Sequence, residues 1–195
     1  EVASLPVWML GHSIKDDERR PVLTMERVLD AIVYIESKGI VIDLLVLDYL
    51  QRITRPQGME IREGFIAVVD AAKNLSLKRP TILNCQAGRQ VNFRPDHQPE
   101  LSDAQETSNF EQSCSHVISL WMPKHNIKDK GTIYCAQEDR TYLTYDKLMS
   151  VKVCKQTMGP APLRWFLEMG YGGTYLTTVP AAHWYKGRPK ENGKL

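Results

Sequence analysis

Alternating strand and helix signals along the first half of the chain predict an α/β fold built on a doubly wound sheet. Three stretches carry that prediction. Ile42–Ile53 holds an apolar run too continuous for a half-exposed strand, and its centre ends in an acid, Asp48. Pro80–Cys85 (Pro-Thr-Ile-Leu-Asn-Cys) repeats the pattern and ends at Gln86. Between them, Glu60–Leu77 sets Ile61, Phe65, Val68, Val69, Ala72 and Leu75 on one helical face, as a crossover between parallel strands requires.

Leu5–Leu10 (Leu-Pro-Val-Trp-Met-Leu) reads as a short strand that begins at a proline, and Gly11–Pro21 as a loop. Thr24 is placed to cap a helix in which Val28, Leu29, Ile32, Val33 and Ile35 recur at helical spacing, stopping near Gly39. The polar turn Arg52–Gly58 follows the acid-bearing strand. From Ala87 to Leu101 the chain is polar and irregular, with Arg89, Arg94, Pro95, His97 and Pro99. Loops of that length without structure of their own are more often functional or disordered than merely connective.

Ser102 and Asp103 then precede a short helix over Ala104–Cys114, and Ser115–Trp121 reads as a strand. Lys124–Lys130 is a basic loop. Gly131–Cys135 and Leu148–Lys155 read as strands, with Leu163–Met169 as the last, and Pro180–Leu195 as a flexible basic tail.

A chain of 195 residues fits one domain, or one domain with an appendage, and carries enough apolar residues for a substantial core. Its formal net charge of +2 neither demands nor excludes nucleic acid, because a local basic patch can hide in a balanced total. Cys85, Cys114, Cys135 and Cys154 stand far apart, without a C-x-x-C pair or a histidine at ligand spacing. They read as reduced, mostly buried thiols of a cytosolic protein. The five histidines do not cluster, and no apolar run approaches membrane-spanning length.

Ligands of open α/β sheets bind at the carboxyl edge of the strands, where Asp48 and Gln86 both fall. An acid there suits Mg²⁺ on a nucleotide, although a turn-capping aspartate reads equally well from the strand alone. Taken one by one, the other residues also have plainer readings. Gln86 is an ordinary strand end, Arg89 and Arg94 are solvated loop charges, and Glu106, Glu111 and Gln112 decorate a helix.

The order of four elements changes that balance. Asp48-Tyr-Leu-Gln, Gln86-Ala-Gly-Arg89, Leu101-Ser-Asp-Ala-Gln-Glu-Thr-Ser-Asn-Phe-Glu-Gln112 and Lys155-Gln-Thr-Met-Gly-Pro160 together resemble the C-terminal ATPase domain of DnaB-type replicative helicases. The resemblance covers roughly Leu5 to Tyr175. It implies a RecA-like P-loop NTPase core over residues 1–179, with a mostly parallel sheet flanked by helices and a C-terminal antiparallel β-hairpin. It further implies ATP and Mg²⁺ as cofactors and a hexameric ring translocating on single-stranded DNA to separate strands. A helicase loader or primase would be a partner, and the location would be cytoplasmic, at the nucleoid or replication fork.

Carried over by position, the resemblance makes Asp48 the Walker B acid that holds Mg²⁺ through water, and Gln86 the sensor of the γ-phosphate. Gln105, Glu106 and Ser108 fall in a loop that tracks DNA phosphates, with Arg89 a further DNA-binding candidate. Lys155 matches a basic residue that reaches a neighbouring subunit's nucleotide.

Departures accompany the matches. The family usually has Arg at Gln105 and Gly at Ser108, and Thr157 occupies the arginine-finger position, so that Lys152 or Lys155 would have to substitute. No G-x-x-x-x-G-K-[ST] occurs in the sequence, so this chain by itself is not expected to hydrolyse ATP. Two explanations stay open: a Walker A segment that lies before Glu1, or a degenerate, non-catalytic DNA-binding or assembly module such as a phage or mobile-element accessory.

Overall fold

The computed structural model describes residues 6–11, 23–94, 97–104, 108–127 and 131–189, with the side chains of 108–110 left aside. Most of the loop expected over 11–21, and the end of the basic loop at 128–130, lie outside the described residues. The chain divides into two compact units, Glu1–Gln86 with Gln105–Ser113, and Ala87–Ala104 with Cys114–Leu195.

In the first unit, helix α1 spans Met25–Ser37 and starts where predicted, with Thr24 Oγ1 accepting from the Arg27 amide at 3.3 Å. Val28 and Ile32 are its buried residues. It ends as Gly39 takes φ +76°, a left-handed conformation that a side chain would resist, and its N–H donates to Glu36 O. Strand β1 (Leu45–Leu47) pairs in parallel with β2 (Thr81–Leu83), Leu47 opposite Leu83. The crossover is α2 (Ile61–Ser76), which buries Phe65, Val68, Val69, Ala72 and Leu75 and packs on β2. A short helix α3 covers Ser108–Ser113.

Arg79, just before β2, is 8 % exposed at its side chain and meets Glu36 Oε1 at 2.6 Å, tying the end of α1 to the approach of β2. A buried guanidinium needs such a partner.

In the second unit, β3 (His116–Trp121), β6 (Leu148–Gln156), β7 (Leu163–Met169) and β8 (Leu176–Thr178) form an antiparallel sheet in that spatial order. A second antiparallel sheet joins β4 (Thr132–Cys135), β5 (Arg140–Leu143) and β9 (Trp184–Lys186). Cys135, Tyr142, Leu148 and Phe166 close the core from both sheets, with Ile133, Tyr145, Val179 and Trp184 packed around them. Tyr142 and Phe166 stack at 4.6 Å between ring centroids. Burial pushes the Cys135 thiol above its ordinary pKa.

Several expectations are corrected. Residues 6–11 carry no regular structure, so no strand forms at Leu5–Leu10 among the described residues. The strand expected within Ile42–Ile53 is three residues long, and it is not buried on both faces: Val46 is 51 % exposed, as its partner Ile82 on β2 is 49 %. The apolar run therefore marked the strand's position correctly and its depth wrongly.

The sheet is not mostly parallel among the described residues, since parallel pairing is confined to β1 and β2. The links β4–β5, β6–β7 and β7–β8 are too short for a parallel crossover, and antiparallel pairing accommodates them. The C-terminal hairpin is present as β6 and β7. Leu163–Met169 is not the last strand, because β8 follows and β9 forms inside the segment read as a tail, pairing with β5. Among the described residues, no helix is long and apolar enough to cross a membrane.

Candidate functional site

Parallel pairing puts the ends of β1 and β2 side by side, and the backbone extends the match: Asn84 N–H donates to Leu47 O at 3.0 Å, and Leu50 N–H to Asn84 O at 2.8 Å. Asp48 and Asn84 thus meet at the carboxyl edge, where Asn84 Nδ2 donates to Asp48 Oδ1 at 3.1 Å. The Asp48 carboxylate is exposed, and the Asp48–Tyr49 peptide is cis.

The chain then turns through a short 3₁₀ segment, Leu50–Arg52, with Leu50 fully buried beneath it. From that turn Gln51 reaches across to the end of β2. Its Oε1 accepts from Gln86 N–H at 3.2 Å and its Nε2 donates to Gln86 O at 3.2 Å, with Cys85 Sγ 3.4 Å away. Gln86 is held by its backbone, and its side chain stays exposed.

An exposed carboxylate with one amide neighbour, at a strand's carboxyl end, suits a hard cation held through water. Among the described residues, no group of three His, Cys, Asp or Glu side chains converges into a protein-only cage. The donor set therefore fits a metal that brings most of its own ligands, as Mg²⁺ on a nucleotide does.

In the second unit, Ala87 and Ala104 form an antiparallel bridge, and Gly88 N–H donates to Asp103 O at 2.8 Å. The long segment between Gln86 and Gln105 is thereby closed at its base into a compact loop. It is not wholly irregular: 3₁₀ turns cover Arg89–Phe93 and Leu101–Asp103. Arg94 pairs with Glu100 at 3.2 Å and with the buried carboxylate of Asp103, which also accepts from Glu100 N–H at 2.7 Å. Arg89 is exposed at the start of its turn.

Strand β6 carries Lys152 and Lys155. Lys155 is half-buried opposite Val117 of β3, while Lys152 Nζ lies 3.3 Å from Glu100 Oε1. Beyond β6, Thr157 donates to Ser115 O through both its N–H and its Oγ1, each at 3.1 Å. Its hydroxyl ties the end of β6 to the residue before β3 and carries no charge. Gln156 donates to Pro160 O, and Gly159 leaves the room for it, since a Cβ there would meet Gln156 Nε2 at 2.7 Å.

Of the residues singled out in the sequence, the structure brings Asp48 and Gln86 together at one edge. Gln105 and Glu106 lie outside the described residues, and Ser108 is described only as the start of α3. Two contributors, Asn84 and Gln51, had no assigned role. Gln51 was visible in Asp-Tyr-Leu-Gln, but its reach depends on the β1–β2 register.

The DnaB-like helicase C-terminal domain family matches residues 13–165. The fold is similar to that in "The Structure Of A DnaB-Like Replicative Helicase And Its Interactions With Primase", with TM-score 0.66 and 17% identity over 81% of this chain and 35% of that one. It is similar also to a second solved structure, described as an ATPase domain, with TM-score 0.63 and 18% identity over 81% of this chain and 52% of that one. The chain thus spans about a third and about a half of these two structures. No curated protein matches it. With the family matched over most of its length, and with an acid and a glutamine at adjacent strand ends, the chain belongs to the DnaB-like helicase C-terminal domain family.

Proposed function

We propose that this chain is the sensing and DNA-contacting part of an ATP-dependent DNA helicase, working with a nucleotide-binding segment that supplies the phosphate cradle. One observation carries the reading: Asp48 and Gln86 lie at adjacent carboxyl ends of a parallel pair, linked through Asn84 and Gln51.

Asp48 would hold Mg²⁺ through water, and the ion when bound draws charge off the β- and γ-phosphates. Asn84 orients the Asp48 carboxylate by occupying one of its oxygens. The exposed Gln86 amide is free to change partners without an ionisation cost. The segment 105–108 would contact single-stranded DNA phosphates through backbone N–H groups and short polar side chains, with Arg89 adding charge. Lys155 would serve a neighbouring copy's nucleotide in a ring. A primase, named with one of the similar structures, and a loader fit as partners on family grounds.

A second reading is favoured by Thr157, whose hydroxyl is spent on Ser115 where a cation would stabilise phosphoryl transfer. There the chain assembles or binds DNA without hydrolysis.

Asp48→Asn in the full-length protein separates the two. The change removes charge and keeps shape, so it should abolish ATP hydrolysis while leaving the thermal melt in place. Unaltered ATPase in that variant sinks the assignment of Asp48. A wild-type protein that binds oligo(dT) and hydrolyses no nucleotide favours the second reading.

A further inference from the structure

We propose that the outer face of the β4–β5–β9 sheet is an accessory binding surface for single-stranded DNA, on which Tyr134 and Tyr185 stack bases while Arg188 and Lys186 take phosphates. The choice of DNA over RNA rests on the function proposed above, but none of these residues is among those assigned a role there. Strand β9 follows residue 165, where the family match ends, so the surface is built partly outside the matched segment.

Tyr134, Thr141 and Tyr185 stand opposite one another across the three strands and therefore share one face. The residues of the neighbouring rungs, Cys135 on one side and Ile133, Tyr142 and Trp184 on the other, belong to the core. That leaves the half-buried tyrosines on the outside. Their strands lie two spacings apart, about 10 Å, with only the small Thr141 between them. Rings presented in this way are a platform for successive bases, tolerant of sequence because every base has a π-face.

The end of β9 brings the cations to the same place. Thr141 Oγ1 donates to Gly187 O at 2.6 Å, and Gly187 takes φ +87°, a left-handed turn that glycine permits. Arg188 thereby comes over the Tyr134 ring, 5.4 Å from its centroid. A base that takes this ring face frees the guanidinium for the phosphate beside it. Lys186 rides the edge strand directly opposite Arg140, a like-charge pair that an anion relieves. Arg140 itself stacks on Trp184 at 4.0 Å and lies 3.8 Å from Glu138.

The carboxylates nearby are engaged: Asp139 accepts from Tyr134 Oη at 2.9 Å, and Glu138 from Tyr142 Oη at 2.8 Å. From Pro180 to Leu195 the sequence carries Lys186, Arg188, Lys190 and Lys194 against Glu191 alone, a net +3 where the whole chain has +2. Among the described residues, no exposed large apolar side chain comes from β4, β5 or β9, so this face lacks the patch that an apolar protein partner needs. Rings with surplus positive charge fit a polyanion that carries flat aromatic units.

The test uses the full-length protein and a fluorescent oligo(dT). Tyr185→Leu should bind about tenfold more weakly, whereas Tyr185→Phe, which keeps the ring, should bind as the wild type does. Arg188→Gln should lower the slope of log affinity against log salt by about 0.7. All three variants should keep the wild-type thermal melt and DNA-independent ATPase. Oligo(dT) carrying iododeoxyuridine should crosslink, on irradiation, to the peptides of Tyr134 or Tyr185. Crosslinks only elsewhere, or wild-type affinity and salt slope in both Tyr185→Leu and Arg188→Gln, overturn the proposal and leave the functional reading standing. Stronger crosslinking of these tyrosines to oligo(rU) overturns the choice of DNA. Crosslinks at these tyrosines in a protein whose Asp48→Asn variant still hydrolyses ATP uphold the surface and sink the assignment of Asp48.

Discussion

In the first unit the parallel pair β1–β2 leans on α2 with one face and leaves Val46 and Ile82 half exposed on the other, whereas the second unit encloses Tyr142, Leu148 and Phe166 between two antiparallel sheets. The residues with chemical promise differ accordingly. Asp48 and Gln86 stand on polar turns where side-chain amides set their positions, and hydrogen bonds rather than burial hold them. Lys152 and Lys155 ride a nine-residue strand whose beginning, Leu148 and Ser150, is buried. One unit presents groups that are free to rearrange, and the other supplies a rigid ledge.

That contrast can be broken most forcefully in the core of the second unit. Phe166→Ala should cost about 3–5 kcal/mol, read as a lower urea midpoint, because it empties the face that stacks on Tyr142. A loss below about 1 kcal/mol would mean the two sheets do not share one core. Among the polar ties of the first unit, the test is Glu36→Ala. It strips the partner from Arg79 and should cost roughly 1–3 kcal/mol, less than the core change because Glu36 is itself 44 % exposed. Equal losses from the two variants would erase the distinction between the units.

The smallest effect concerns pH. Burial first, and then the hydrogen bond to Glu138, push the Tyr142 hydroxyl up to about 12; burial and Glu168 raise Tyr145 as well. Both groups hold their protons more tightly folded than unfolded. Their stabilisation is thus complete below an unfolded tyrosine's pKa of about 10, and is lost as pH rises through about 12 for Tyr142. Stability measured between those values should fall with pH, and Tyr142→Phe should flatten the slope. A flat wild-type profile would contradict the burial of that hydroxyl.

Local signals were the legible ones. Thr24, the spacing of Val28 and Ile32, and Gly39 define α1 because capping and periodicity are written within a few residues. The positions of β1 and β2 were legible for the same reason, but their depth was not, since exposure of Val46 depends on what lies against it. Strands β5, β8 and β9 escaped because Arg140-Thr-Tyr-Leu, Leu176-Thr-Thr and Trp184-Tyr-Lys are short, partly polar and made strands only by distant partners. At the site, Asp48 and Gln86 were readable as strand ends. Asn84 and Gln51 were not, because their roles arise only when Leu47 is set opposite Leu83. The loop 87–104 read as irregular because its closure, Ala87 to Ala104, joins two small residues that carry no pattern of their own.

Gln51 has a consequence for the conditions under which the site holds together. By bonding both the N–H and the O of Gln86, its amide makes the two contacts that a neighbouring strand residue would make, at a place where β1 has already turned away. A carboxamide neither gains nor loses a proton in the range where proteins stay folded. The brace between the turn after Asp48 and the end of β2 is therefore indifferent to acidity.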